Sequence, residues 1–440
     1  MEKTSKLVLL IILLIFQYGC LDKNQKMKSL QISEKNKIIR DYVVDNAIIA
    51  HRGTTYWAPE ETEAAFRWAR NMGADYLEVD IQRSKDGVLL ALHDDNLSRT
   101  TDCVAVFPND SIFTAANYTY QELMQLDAGT WFNLAQPNQQ SINFSSKAEV
   151  IKSNQKAYSF SGLNISGDLD ISKAIQHPSA EIYVGGKQYI STLEDVIMIA
   201  KGWRIARNEN GERLFNLIVI NSKPHYQFFY VKDTEDIGHR PGIYIETKEP
   251  GLYPNVENDL YRVLSTAAWN NKSNPIDKHE SFYIDGKVNT GNTAGRIVLQ
   301  TFSPKSLQKI NELFKGEVPL CFLLWLGDPN LIDSDSIAYQ TNINFAIKNN
   351  AHFIGPSIAG EPNNYADLLM EWQAKLIHQS GLKIHAYSFD TEYQTMHYAN
   401  RTDAMFTNRT ELTLEYFKNQ GLKKDIPLKN AKEILNELGY

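Results

Sequence analysis

Four side chains able to handle a metal ion or a proton, His51, Glu78, Asp80 and His93, fall within residues 48–95. They stand at or near the ends of short apolar runs, AIIAH, DYLEVD and VLLALHD. Such runs read as buried strands, so the polar groups emerge where strands end. Glu78 and Asp80 are two apart and project to one face of their strand. Glu246, near the end of GIYIETK, reaches the same rim from the next parallel strand. Three carboxylates at close quarters repel one another unless a cation sits among them. Oxygen-only ligation favours a hard ion, Ca2+ first and Mg2+ second, over zinc. The bland alternative, a carboxylate pair on a half-exposed strand, fits less well, because Leu77, Val79 and Ile81 form a packing face of their own.

Two imidazoles beside such a cation suit acid/base work on a phosphate ester. With an ordinary pKa near 6.5, one ring can be neutral while the other carries a proton. Arg52 and Lys248 add positive charge at the rim, which suits the nonbridging oxygens of a phosphodiester. His225, His239, His279, His352, His378, His385 and His397 lack this company and read as structural; His385 alone lies on a strand of the same series.

The elements that must position these groups can be followed along the chain. After His51, PEETEAAFRWARNMGA has a proline at an expected first helical turn and Ala64, Ala65, Trp68, Ala69 and Met72 at helical spacing. Strand, helix and strand in succession make the first two strands parallel. The next connection, Lys85-Asp86-Gly87, is a turn with no room for a helix, so VDIQRS and VLLALH form a hairpin that brings His93 back beside Asp80. From residue 242 the runs GIYIETK, RIVLQTF, VPLCFLLWL, AHFIGPS, LKIHAYSF and DAMFTN complete eight strands, the number that closes a parallel α/β barrel with its chemistry at one rim. An open α/β sheet would suit the pattern but not the polar groups at so many strand ends.

A barrel of this kind needs roughly 250 residues, and the chain has 440. The surplus falls in an insertion at about 82–190 and an expanded loop at about 203–240, rich in Asn, Ser, Gln and Tyr. Within them TYQELMQLDAGTWFN reads as a helix with a turn and YISTLEDVIMIA as a capped helix. The first 20 residues, with Lys3, Lys6 and an apolar run from Leu7 to Phe16, form an expected export signal too short to span a bilayer. Gly19-Cys20 resembles a bacterial lipoprotein processing site, which implies lipidation at Cys20 and a periplasmic or cell-envelope location. The expected organisation is a tether at 21–40, a barrel at 41–425 and a helical tail at 426–440. Cys103 and Cys321 lack metal-ligand spacing, and a net charge of −7 without a basic block argues against nucleic acid as partner.

The chain resembles the glycerophosphodiester phosphodiesterases. The resemblance is carried by HRG at 51–53, PEET at 59–62, LEVD at 77–80, KDG at 85–87, LHDDNLSRTTD at 92–102, IETK at 245–248 and DAMFTN near the end, with LDAGTWF and STLEDV inside the inserted region. It implies a TIM barrel with an insertion after the second strand, a metal held by Glu78, Asp80 and Glu246, and His51 and His93 as the acid/base pair. Arg52, Glu60 and Lys248 would contact phosphate or metal-bound water, and Phe302 would line the glycerol side. Three positions depart from the family pattern: Glu61 stands where Asn or His is common, Thr247 replaces Leu, and Thr407-Asn408 replaces Thr-Asp. None is expected to touch a catalytic group.

The implied activity is hydrolysis of a small-molecule glycerophosphodiester to glycerol 3-phosphate and an alcohol. One alternative is a phospholipase D-like hydrolase of lysophospholipids or sphingolipids on the same barrel, with Trp57, Trp131 and Phe132 forming an apolar mouth. Another is a surface lipoprotein that binds a phosphorylated or sugar ligand without turnover, which has no use for two histidines and three carboxylates together.

Overall fold

The computed structural model describes residues 28–134, 183–220, 223–276, 280–327, 335–360, 363 and 365–440. Cys20, the signal segment, much of the insertion and His279 lie outside the described residues. Eight parallel strands close a barrel: β1 (Ala47–Ala50), β2 (Tyr76–Arg83), β3 (Gly242–Thr247), β4 (Ile297–Thr301), β5 (Leu320–Leu324), β6 (Phe353–Pro356), β7 (Lys383–Phe389) and β8 (Ala404–Thr407). Closure is direct, since β1 pairs with β2 on one side and with β8 on the other, Ala50 opposite Thr407. The strand Leu89–Ala91 pairs antiparallel with the end of β2, Ile81 opposite Ala91, as the hairpin reading requires.

The barrel strands are buried on both faces, and alternation along them decides what fills the interior. Ala47 and Ile49 on β1, Tyr76 on β2, Tyr244 on β3, Val298 on β4, Cys321 and Leu323 on β5, Phe353 on β6 and Ala404 and Phe406 on β8 pack into one internal cluster. The intervening residues, such as Ile48, Leu77, Val79, Ile245 and Leu299, pack against the surrounding helices. The same inward positions turn polar one step further along: His51 after Ile49, Glu78 and Asp80 after Tyr76, Glu246 after Tyr244, Gln300 after Val298 and Asn408 after Phe406. His385 belongs to the packed layer below these groups. Its ring stacks on Phe353 with centroids 3.9 Å apart, and its Nδ1 lies 3.0 Å from the Tyr244 hydroxyl.

Several segments differ from their sequence reading. Residues 28–40 do not run free as a tether: Ser33 caps a helix at Glu34–Arg40, Ile32 and Ile39 are buried, and Ile32 N–H donates to Ser380 O at 3.0 Å. The first barrel helix starts at Glu63 rather than near Pro59, because Thr62 is its N-cap and Glu61 has a positive φ of 60° that no helix accommodates. Residues 203–240 hold four short antiparallel strands, Trp203–Ile205 with Tyr230–Lys232 and Phe215–Ile220 with Lys223–Phe228. Near the C-terminus, the helix Ala431–Leu438 packs on the first barrel helix, with Trp68 Nε1 donating to Ala431 O at 3.0 Å.

The expanded loop is fastened by buried ion pairs, Asp233 with Arg67 and Arg70 of the first barrel helix at 2.6 Å each, and Arg213 with Asp195. Thr192 and Asp195 form the capping box of the helix Leu193–Ala200. The same Asp195 carboxylate accepts from Arg213 Nη1 at 2.7 Å and from the Tyr230 hydroxyl at 2.8 Å. Both charges are almost fully buried. Removing one partner strands the other away from water. Asp195→Ala is therefore expected to lower unfolding free energy by about 3–5 kcal/mol in a denaturant titration, and the double variant Asp195→Leu/Arg213→Met by less.

Candidate active site

The rim carrying the polar groups opens into a cavity of about 480 Å³ lined by His51, Arg52, Glu78, Asp80, His93, Glu246, Lys248 and Phe302, all singled out in the sequence. Gly53, directly after His51 and Arg52, turns the chain at φ 76°, and a Cβ there would lie 2.8 Å from the Ala65 backbone, so only glycine fits. The turn points the Arg52 N–H at Glu78 Oε2, 2.7 Å away. His93 is held from the hairpin side, where Gln82 Nε2 donates to its carbonyl at 2.9 Å. Its ring Nδ1 meets Asp94 Oδ1 at 2.5 Å and its Nε2 lies 3.2 Å from Lys248 Nζ.

Glu60 does not line the cavity but braces it from behind. It accepts from Arg52 Nη1 at 3.2 Å and from both terminal nitrogens of Arg99, which also reaches Asp94. Burial pushes the Glu60 carboxyl up, but Arg99 and Arg52 more than offset it and bring it down to about 2. Arg99 was quoted in the sequence only as part of a motif; its bridge from Glu60 to Asp94 ties Arg52 to His93.

The expected Glu78, Asp80 and Glu246 triad lines one cavity, and a fourth carboxylate, Glu61, joins it from outside that lining. Glu61, Glu78 and Asp80 place oxygens within 4.8 Å of one another. Glu246, opposite Asp80 in the β2–β3 register, turns to Lys248 at 3.1 Å. Glu61 Oε1 accepts from Asp80 N–H at 2.9 Å, while its Oε2 is buried without a hydrogen-bond partner. Asp80 Oδ2 lies 3.1 Å from Arg52 Nε, but the two are not aligned for a hydrogen bond. Two orphaned carboxylate oxygens in a dry cluster fit a hard cation, with Glu78 and Asp80 common to both sets of carboxylates that could hold it, one completed by Glu246 and the other by Glu61. Two of the departures from the family pattern thus do touch proposed catalytic groups: Glu61 touches Asp80, and Asn408 Oδ1 lies 2.9 Å from His51 Nδ1. The positive φ at residue 61 is a conformation that Asn adopts readily, which was the available sequence signal.

The electrostatics follow from burial and crowding. Burial, then Asp80 and Glu246, hold Glu78 well above the usual carboxylate range, and burial with Asp80 and Glu78 does the same for Glu61. Burial raises Glu246 to about 8 despite Lys248. Asp80 goes the other way: burial raises it, but Lys248, His93 and Arg52 bring it to about 2. Burial and Arg52 lower His51 to about 3 and His93 to about 4. The opposite wall is apolar, with Phe302, Leu323, Trp325, Leu326, Tyr387 and Phe406 facing the charged groups. Trp57, Trp131 and Phe132 do not form this mouth. Trp57 stacks toward Trp68 and Phe132 packs edge-on to Tyr183.

The model of the glycerophosphoryl diester phosphodiesterase family matches residues 51–234 and 243–412. The chain belongs to that family. A glycerophosphodiester phosphodiesterase of Bacillus subtilis is 24% identical over 345 residues, 78% of this chain and 76% of its own length. One of Bacillus altitudinis is 28% identical over 212 residues, 48% of this chain and 76% of its own. A provisionally assigned glycerophosphoryl diester phosphodiesterase from Silicibacter pomeroyi shares the fold at a TM-score of 0.51, with 13% identity and coverage of 86% of this chain and 95% of that one. The protein is a glycerophosphodiester phosphodiesterase by family, with a closed eight-stranded barrel.

The raised Glu246 gives this family member a measurable pH signature. A carboxyl whose folded pKa, about 8, exceeds its ordinary 4.5 stabilises fully below 4.5, and that contribution is lost as pH rises through 8. Glu60 and Asp80 are lowered, so their contributions change only in acid, and the buried histidines act mainly below about 6.5. In chelator, the wild type is therefore expected to lose stability relative to Glu246→Gln between pH 6.5 and 8, by at most about 1.4 kcal/mol per pH unit, and added Ca2+ to reduce the difference. Denaturant melts across that window check it.

Proposed function

We propose that the enzyme hydrolyses glycerophosphodiesters to glycerol 3-phosphate and the free alcohol by acid/base catalysis between His51 and His93 beside a cation, Ca2+ ahead of Mg2+. The observation that carries this reading is the convergence, in one cavity, of two imidazoles, the carboxylates of Glu78, Asp80 and Glu246, and the cations of Arg52 and Lys248, with Glu61 within reach of Glu78 and Asp80. The bound cation would supply Lewis-acid stabilisation of charge on a nonbridging phosphate oxygen.

The chain's own residues do the rest. Arg52, locked between Glu60 and Asp80, and Lys248, held by Glu246, present positive charge to the phosphate without reorganising. One imidazole takes a proton from the neighbouring glycerol hydroxyl or from water, and the other gives one to the departing alcohol. Burial holds both rings below their ordinary pKa, so the negative charge of an arriving phosphodiester, a monoanion, favours charging one of them. Phe302, carrying Lys248 Nζ 5.6 Å from its ring centre, begins the apolar wall on which the glycerol side rests.

Lysophospholipid hydrolysis keeps a claim because Trp325 and Leu326 stand half-exposed on the apolar wall. Choline release from glycerophosphocholine set against release from lysophosphatidylcholine separates the two; faster release from the lysolipid would favour the second reading. The exported lipoprotein location is likewise a proposal resting on the N-terminal apolar run and Cys20. Palmitate labelling that survives Cys20→Ala would remove it.

His51→Ala and His93→Ala are each expected to lower kcat by about 10²- to 10⁴-fold, and exhaustive chelation to abolish turnover. Glu61→Gln, Glu78→Gln and Asp80→Asn are each expected to weaken Ca2+ binding by about tenfold or more in calorimetry. Full activity in His51→Ala, or after chelation, would sink the scheme.

A further inference from the structure

The first and last strands of the barrel meet at His51. Its backbone N–H donates to Thr407 O at 3.0 Å, and its ring Nδ1 lies 2.9 Å from Asn408 Oδ1. Asn408 is fully buried and its other polar groups are tied down. Its N–H donates to Phe389 O at 3.0 Å, its carbonyl accepts from Thr54 Oγ1 at 3.0 Å, and its Nδ2 donates to Asp390 Oδ1 at 2.7 Å. Asp390 is buried too. Its Oδ2 accepts from Asn363 Nδ2 at 3.1 Å, and its own N–H goes to Gln394 Oε1 at 2.8 Å.

Burial raises the Asp390 carboxyl to about 7; above that pH it is ionised and offers only acceptors, as its contact with Asn363 Nδ2 also requires, so the side of the Asn408 amide facing Asp390 is the NH2. The side facing His51 is then the oxygen, and an oxygen there requires a proton on Nδ1. We infer that Asn408, its amide held by Asp390, fixes His51 in the Nδ1–H tautomer, so that Nε2 is left as the lone-pair nitrogen for the cavity and His51 is the proton acceptor of the pair. Asp390 and Asn408 are positioning residues, and the assignment of the acceptor role rests on the acid/base reading above.

The arrangement divides the two imidazoles. His93 has a carboxylate at Nδ1, Asp94, which stabilises an imidazolium; His51 has an amide, which orients the ring and stabilises a charge less. The amide stands where the family pattern has Asp, and the Asp390 carboxylate lies behind it. Neutral Asn alone could turn either end to His51; Asp390 removes the choice.

The test is ¹⁵N NMR of the histidine-labelled full chain, with His51 identified by its loss in His51→Gln, alongside kcat and KM on glycerophosphocholine. The wild type is expected to show a protonated Nδ1 and a bare Nε2 on His51. Asp390→Ala is expected to give mixed tautomers and a fall in kcat of about 10- to 100-fold with KM within about twofold. Asp390→Asn, whose amide can present either end to Asn408, is expected to loosen the tautomer in the same direction. A wild-type ring protonated on Nε2 overturns the inference, and that spectrum decides even where Asp390→Ala does not fold. So does an Asp390→Ala protein with unchanged tautomer and kcat. Activity surviving in His51→Ala would instead defeat the acid/base reading and leave the tautomer to be judged by the spectrum.

Discussion

Too many carboxylates in too little water is the constraint that shapes this rim. Glu61, Glu78, Asp80 and Glu246 converge at the top of β2 and β3, where bulk solvent cannot screen them. Arg52 and Lys248 answer part of that charge, and the rest must be met by protons or by a cation. The surroundings follow from this. Arg52 is pinned by Glu60, Glu60 by Arg99, and Arg99 by Asp94, so each fixed cation is itself surrounded by fixed anions. A lattice of alternating charges of this kind is rigid because moving any member exposes another. Rigidity is what a phosphate-handling site needs, since the stabilising charges must already be in place when charge develops.

The parts of this arrangement legible in the sequence were those governed by strand alternation. Period two along β2 put Glu78 and Asp80 on one face, and the tight turn at Asp86 brought His93 back. Parallel pairing placed Glu246 opposite Asp80, and the structure keeps that register. What escaped was governed by contacts between distant segments. Asn408 lies 357 residues from His51, and only closure of the barrel through the β1–β8 pair makes them neighbours. Glu61 escaped for a different reason. Its motif reads as the first turn of a helix, whereas its positive φ folds the side chain back to Asp80 N–H, and the helix begins two residues later at Glu63, after the Thr62 cap. The short strands of 203–240 and the helix after Ser33 escaped because each is stabilised by tertiary packing more than by its own pattern.

The two walls of the cavity explain why a family assignment leaves the alcohol product open. The groups whose chemistry suits phosphate gather on the wall built by β1, β2 with its hairpin, and β3. The facing wall, from Phe302 on β4 round to Tyr387 on β7, needs only to exclude water and fit the part of the substrate that does not react. Gly327 lies so close to the Trp325 ring that a Cβ would come within 2.1 Å of it, so only glycine lets the chain pass that half-exposed indole at the mouth. An aromatic face there selects ligands by shape and polarity while leaving the reaction unchanged.

Barrel closure also decides how the two histidines are supported. His51 is built from β1 and β8, the first and last barrel strands, and its orienting amide is braced by the end of β7. His93 stands on the hairpin that leads into the insertion, and its supports, Asp94, Arg99 and Gln82, all come from that neighbourhood. The added segments reach both sides of the rim: the one after the second strand carries Asp94 and Arg99 beside His93, while the expanded loop grips the helix behind His51, where Ile205 N–H donates to Glu63 Oε1 at 2.8 Å and Asp233 pairs with Arg67 and Arg70. The two imidazoles are thus supported from different elements, one by barrel closure and the other by the hairpin, and Arg99, Glu60 and Arg52 join the two supports.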